Sequence, residues 1–197
     1  MFTARHAAAI ALPALLVFGL SGCSLLQAKG SDTTLTGVAA CAQGHTWTVD
    51  TADLAAQVLK DLQKQKVPAT AVDAKGTQTM TWDVNGAMSV VTDYTLTVTA
   101  APAPDQALIA TQVHKGTATG KAYVDADVAI PRNWDATATT VDTTFTLNGA
   151  EVKDSVPFTT IVTDFDDSVG LELTCDGTAM TTHPRGSDVT QKWTRSN

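Results

Sequence analysis

Gly116-Thr117-Ala118-Thr119-Gly120-Lys121-Ala122 is the stretch closest to phosphate chemistry. Glycine-rich turns let backbone N–H groups cradle phosphate oxygens while a lysine supplies positive charge. The run is one residue short between its glycines and carries Ala122 where a hydroxyl should follow the lysine, so a strand-turn-strand of small residues accounts for it better. Asp164-Phe165-Asp166-Asp167-Ser168 suggests calcium, yet Val169 stands at the required glycine and Cys175 at the required glutamate. An acidic solvated loop is the favoured reading, with a weak oxygen-ligand site as the alternative. His45, His114 and His183 are too scattered for a metal-ligand spacing. The chain holds no G-x-S-x-G, H-E-x-x-H or S-x-x-K. Paired carboxylates for glycoside hydrolysis cannot be recognised in a sequence, because their spacing is spatial. No metal, no cofactor and no catalytic residue is therefore assigned, and the expectation is that the chain is not an enzyme.

The large aromatics are Trp47, Trp82, Trp134 and Trp193. They are expected to pack a core, and they are also the side chains expected to line a ligand cavity if the sheet encloses one. The net charge of -7 and the lack of any basic run argue against nucleic acid, whose binding depends on clustered Lys and Arg. Excess acid suits a domain kept soluble and off an anionic lipid surface.

At the N-terminus, Arg5 precedes an apolar stretch from Ala7 to Leu20. This is the layout of a secretory signal. Its 14 residues would span about 21 Å as a helix, short of a hydrocarbon core of roughly 30 Å. The stretch ends in Leu20-Ser21-Gly22-Cys23, which resembles the lipobox of bacterial lipoproteins. The resemblance implies cleavage before Cys23, a diacylglycerol thioether on its sulfur and acylation, typically with palmitate, of the new amino terminus. It places the chain on the extracytoplasmic side of the cell membrane, held by a lipid anchor. Two or three acyl chains make that anchor stable, since each buried methylene contributes about 0.8 kcal/mol.

With Cys23 so used, Cys41 and Cys175 remain, in a compartment that permits a disulfide bond. The pair is read as a staple between the two ends of one domain. A reactive or metal-binding pair would want a C-x-x-C spacing or a nearby His, and has neither. Loss of residues 1–22 leaves 175, enough for a single domain with a full core. Residues 23–40 then form the lipidated cysteine and a flexible tether, and 41–197 a β-rich domain.

His45 to Val49 alternates and predicts a strand with Trp47 and Val49 on one face. Asp50 offers an N-cap, and Leu54, Ala55, Val58, Leu59 and Leu62 form one apolar stripe. Lys64, Lys66 and Pro68 end that helix. Beyond Pro68 the chain turns to Thr and Val, residues that favour strands. Asn85-Gly86, Asn148-Gly149 and Asp176-Gly177 mark hairpins. Pairing apolar residues predicts a three-residue loop Val84-Asn85-Gly86 that sets Trp82 opposite Met88. The other two hairpins take two-residue turns, with Leu147 opposite Ala150 and Leu173 opposite Met180. Ala107–His114 and Thr117–Val124 are read as two strands, Asp125–Asp135 as a connection, and Gln191–Arg195 as part of the last strand. The fold class is α+β: one N-terminal helix packed on a mostly antiparallel β-meander of eight to ten strands, with a barrel or half-barrel as the way to hide its edges.

The lipobox, Cys41-x-x-Gly44-x-x-Trp47-x-x-Asp50 leading into a helix, Cys175-x-Gly177 and Trp193-Thr194-Arg195 together resemble the small exported lipoproteins of actinobacteria. The resemblance implies a monomeric surface domain and carries over no catalytic residue. The leading expectation is a non-catalytic, membrane-anchored binding domain that holds an apolar or cell-envelope ligand within a curved sheet. The alternative is a protein-interaction or structural envelope module with a solid core. An esterase or glycosidase is weakest, because no nucleophile or acid/base constellation is visible. Cys23→Ala is expected to move the chain from the membrane fraction to the soluble exported fraction; unchanged membrane retention would overturn the anchor.

Overall fold

A computed structural model describes residues 34–153 and 170–196. Two helices and ten strands occur among them: α1 (Gly37–Ala42), β1 (His45–Val49), α2 (Thr51–Lys64), β2 (Ala69–Trp82), β3 (Ala87–Ala100), β4 (Leu108–Asp125), β5 (Val128–Asp135), β6 (Thr140–Leu147), β7 (Ala150–Glu151), β8 (Leu171–Cys175), β9 (Ala179–Pro184) and β10 (Gln191–Arg195). The sheet is antiparallel and ring-like. Its order runs β3-β2-β1-β10-β9-β8-β5-β4, and β4 pairs back onto β3, while β6 and β7 branch from the first half of β4. The ring is thinnest between β5 and β8, where two residue pairs, Val128 with Glu172 and Ala129 with Leu171, make the joint.

Alternation decides what faces inward. Along β3, Met88, Val90, Thr92, Tyr94, Leu96, Val98 and Ala100 are buried, and the residues between them are exposed or half-exposed. Inward side chains from all eight ring strands meet in one cluster, which includes Trp47, Met80, Trp82, Met88, Ala122, Ala129, Leu171, Met180 and Trp193. A second cluster joins Leu54, Val58 and Leu62 of α2 to Ala69, Tyr94, Leu96, Val98 and Ala110. Asp50 caps α2 by accepting a hydrogen bond from Asp53 N at 2.9 Å, and Asp53 places a carboxylate in the positive first turn.

The first two hairpins form as the apolar pairing requires, with Trp82 opposite Met88 and Leu147 opposite Ala150. Gly86 takes φ +83°, and Asn148 and Gly149 both have positive φ, the conformation of a type I′ turn. The third hairpin differs. Leu173 faces Thr182 and Cys175 faces Met180, so the turn centres on Gly177-Thr178 instead of Asp176-Gly177. Gly177, at φ +98°, occupies the first central position, where a type II′ turn needs glycine. The Asp176 carboxylate accepts from Thr178 N and Ala179 N and fixes that geometry. A partner shift of two residues leaves every side chain on the same face, so alternation could not reveal it.

Three further expectations are corrected. Residues 37–40, assigned to the tether, begin α1, and Val38 packs against the main cluster. A six-residue helix has no periodic stripe to betray it. Asp125–Asp135 contains β5, disguised by Pro131; that proline is tolerated because β8 pairs only with Val128 and Ala129. Finally, β4 runs unbroken through Lys115 and Gly116. A Cβ at Gly116 would approach Thr139 Cα to 2.7 Å and Ala138 O more closely still, at φ +123°. Gly116→Ala is expected to cost about 1–3 kcal/mol in urea unfolding. Gly177→Ala shares the positive φ but meets no atom within 4 Å, so it should cost less; equal losses would remove the steric explanation.

Candidate functional site

The predicted tryptophans converge at one end of the ring. Trp82, Trp47 and Trp193 come from the successive strands β2, β1 and β10, and each is at most 1% exposed. Register stacks them with methionines: Trp47 is opposite Met80, and Trp193 is opposite Met180. Trp47 Nε1 donates to Ala42 O at 2.8 Å, and Trp193 Nε1 donates to Thr182 Oγ1 at 2.9 Å. Trp82 Nε1 is buried with no acceptor among the described residues. Trp134 is only half-buried, and its ring lies over Gly120, where a Cβ would meet Trp134 Cε3 at 2.6 Å. The fourth tryptophan therefore lies over the inward side of Gly120 and packs, half-buried, against the same cluster as the other three.

Below the indoles lies a polar layer that hydrophobic alternation concealed. Gln191 Nε2 donates to Gln78 Oε1 at 3.1 Å, and Gln78 Nε2 donates to Thr92 Oγ1 at 3.1 Å. Thr182 Oγ1 donates to Gln191 Oε1 at 3.4 Å. All four residues are buried. They occupy inward positions in strands that read as surface polar, so the available signal was position parity, not residue type. Buried polar groups that satisfy one another avoid the desolvation cost of unpaired ones.

Above the indoles sits α1. It brings Cys41 to Cys175, joined as a disulfide with Cα atoms 5.9 Å apart. Gly177 N donates to Cys41 Sγ at 2.9 Å. Ala42 is fully buried and supplies the carbonyl that Trp47 uses, so the helix, the disulfide and the indole are one assembly. Hydrogen bonds from Ala179 N and Thr178 N hold the Asp176 carboxyl below the usual carboxylate range beside it.

The histidines stay apart in role as well as in sequence. His45 meets Trp47 edge-on, His183 Nδ1 lies 3.1 Å from Thr190 Oγ1, and the buried His114 stacks on Tyr94 with ring centroids 4.5 Å apart. No group of three or more His, Cys, Asp or Glu suited to a metal occurs among the described residues. Lys121 of the glycine-lysine stretch points outward from β4, opposite Arg132. Leu20, Ser21, Gly22 and Cys23, and the acidic run Asp164–Ser168, lie outside the described residues.

Two open grooves mark the described surface. One, of about 290 Å³, lies along α2 between Gln57, Lys60, Asp61, Lys64 and Asp188. The hydrogen bond from Lys64 Nζ to Asp188, 2.9 Å long, raises the lysine and lowers the carboxyl from their ordinary ranges. The other, of about 210 Å³, is formed by Thr174, Cys175, Asp176, Ala179, Met180 and Thr181. Neither is lined by a tryptophan.

No protein-family model matches the chain, and no curated protein matches it significantly.

The disulfide closes a loop of 134 positions. The paired replacement Cys41→Ser with Cys175→Ser is expected to lower unfolding stability by about 2–5 kcal/mol. Guanidinium titration measures it; an unchanged midpoint would show that packing alone holds α1.

Proposed function

We propose that this chain is a monomeric, membrane-anchored extracytoplasmic lipoprotein whose domain is a closed barrel with a solid interior and binds other envelope components from its outer face. The supporting observation is the filling of the ring: Trp47, Trp82, Trp193, Met80, Met88 and Met180 are each at most 3% exposed and belong to one cluster. A ligand inside the sheet would need the space these side chains fill, and close-packed interiors yield such space only at a cost. The outer face is the larger resource. It carries most of the threonines, and ring closure leaves few strand edges to recruit unwanted chains.

On this reading α2 is the barrel's packed helix, and Cys23 is the lipid attachment point that the lipobox implies. The role is one of scaffold and contact, without catalysis. Native mass spectrometry of the exported Cys23→Ala chain tests it. A bare polypeptide mass is expected; a reproducible extra mass lost on denaturation would return the interior to the role of a container.

A further inference from the structure

Lys121 and Arg132 are directly opposite each other on β4 and β5, and they are the one pair of like charges so placed among the described strand pairings. Both side chains are exposed, and neither belongs to a described ion pair. Opposed like charges weaken a sheet. An anion seated against both would reverse that effect. The opposition of the two cations, rather than the lack of a carboxylate partner, sets this pair apart: Lys64, Lys75, Arg185 and Lys192 have such partners, whereas Lys60, Lys66, Lys115, Lys153 and Arg195 also belong to no described ion pair.

The surroundings say what kind of anion fits. Tyr123 lies two residues from Lys121 on the same outward face, 53% exposed and opposite Ile130. On the near side is the β2–β3 turn: Gly86 O accepts from Ala122 N at 2.8 Å, and a Cβ at Gly86 would reach Tyr123 Cε1 at 4.0 Å. That turn exposes Val84, at 60%, beside Gly44. Lys121 has only Ala87 on its other flank, which leaves its approach open. A tyrosine and two aliphatic residues next to two cations match the layering of a membrane interface, where amphipathic aromatics sit at headgroup level and basic groups meet lipid phosphates.

We propose that this rim, Val84, Lys121, Tyr123, Ile130 and Arg132, docks on an anionic lipid surface and sets the orientation of the domain. The inference rests on the anchor reading above. Gly37, the start of α1, follows Cys23 by 14 positions, a reach of at most about 50 Å. Gly44, just after α1, touches Val84. The rim therefore lies beside the element at which the tether enters the domain. Tethering makes the contact intramolecular, so a weak one suffices to orient the domain. Asp125, further along the same strand and face, opposes the docking and limits its strength.

The full chain, lipidated at Cys23 and carrying Tyr123→Trp, is incorporated into vesicles of brominated phosphatidylcholine, alone or mixed with phosphatidylglycerol. Quenching of the added indole reads contact with lipid. Quenching is expected only with phosphatidylglycerol and is expected to fade at high salt. Lys121→Gln or Arg132→Gln should each lower the docked-to-free ratio about fivefold, and Asp125→Asn should raise it. Equal quenching in the two lipids, or no response to these substitutions, would overturn the proposal and leave the rim to a protein partner. Flotation with the vesicles is scored separately. A chain that floats without quenching refutes the docking alone, whereas a chain that does not float refutes the anchor and the docking with it.

Discussion

Three indole rings can leave water together only where every direction around them is closed, and this requirement organises the molecule. A flat sheet would bury Trp47, Trp82 and Trp193 on one side and need a second layer to cover them. The ring covers them with its own far wall, from β3 and β4 through β5 and β8. The ends of the ring then become the weak points. One end is stopped by α1, whose Ala42 carbonyl receives the Trp47 N–H and whose Cys41 is tied to β8. Toward the other, α2 lays Leu54, Val58 and Leu62 against Tyr94, Leu96 and Val98.

Between the two apolar clusters, the glutamines and threonines form a hydrogen-bonded layer in place of a continuous oily core. Its position follows from where β1 ends. Asp50 turns the chain into α2, so β2 and β10 lose the strand between them, and the side chains of Gln78 and Gln191 bridge across. A polar layer of this kind is satisfied in one register and broken in others, which helps a threonine-rich sheet settle on a single pairing.

The outer surface carries the counterpart of this internal order. Strand alternation places threonine, lysine and aspartate outside in the same rhythm that places tryptophan and methionine inside. Four exposed cations are paired with a carboxylate, among them Lys192 with Asp53 and Lys64 with Asp188. The Lys121–Arg132 pair sets two cations opposite each other beside an exposed tyrosine. A fold whose interior is occupied has its surface left for recognition, and such a local imbalance is where recognition chemistry has something to act on.

Local rules carried the sequence a long way. Alternation in His45–Val49, the Asp50 cap with its apolar stripe, and the Asn148-Gly149 turn each depend on neighbours within a few positions, and all formed as expected. The resemblance of Leu20-Ser21-Gly22-Cys23 to a lipobox is likewise local and rests on the sequence alone. What required tertiary structure depends on distant partners. α1 exists through its disulfide and the Trp47 contact, β5 through its pairing with β4 despite Pro131, and Gly116 through the backbone of Thr139 pressed against it. The turn at Gly177-Thr178 was invisible for a related reason, since a two-residue slip preserves the faces and only hydrogen bonding by Asp176 distinguishes the registers. Residue order determined which side chains shun water and where α2 and the Asn148-Gly149 turn form; only closure of the ring decided that three tryptophans would fill it, because filling depends on volumes contributed from strands far apart in the chain.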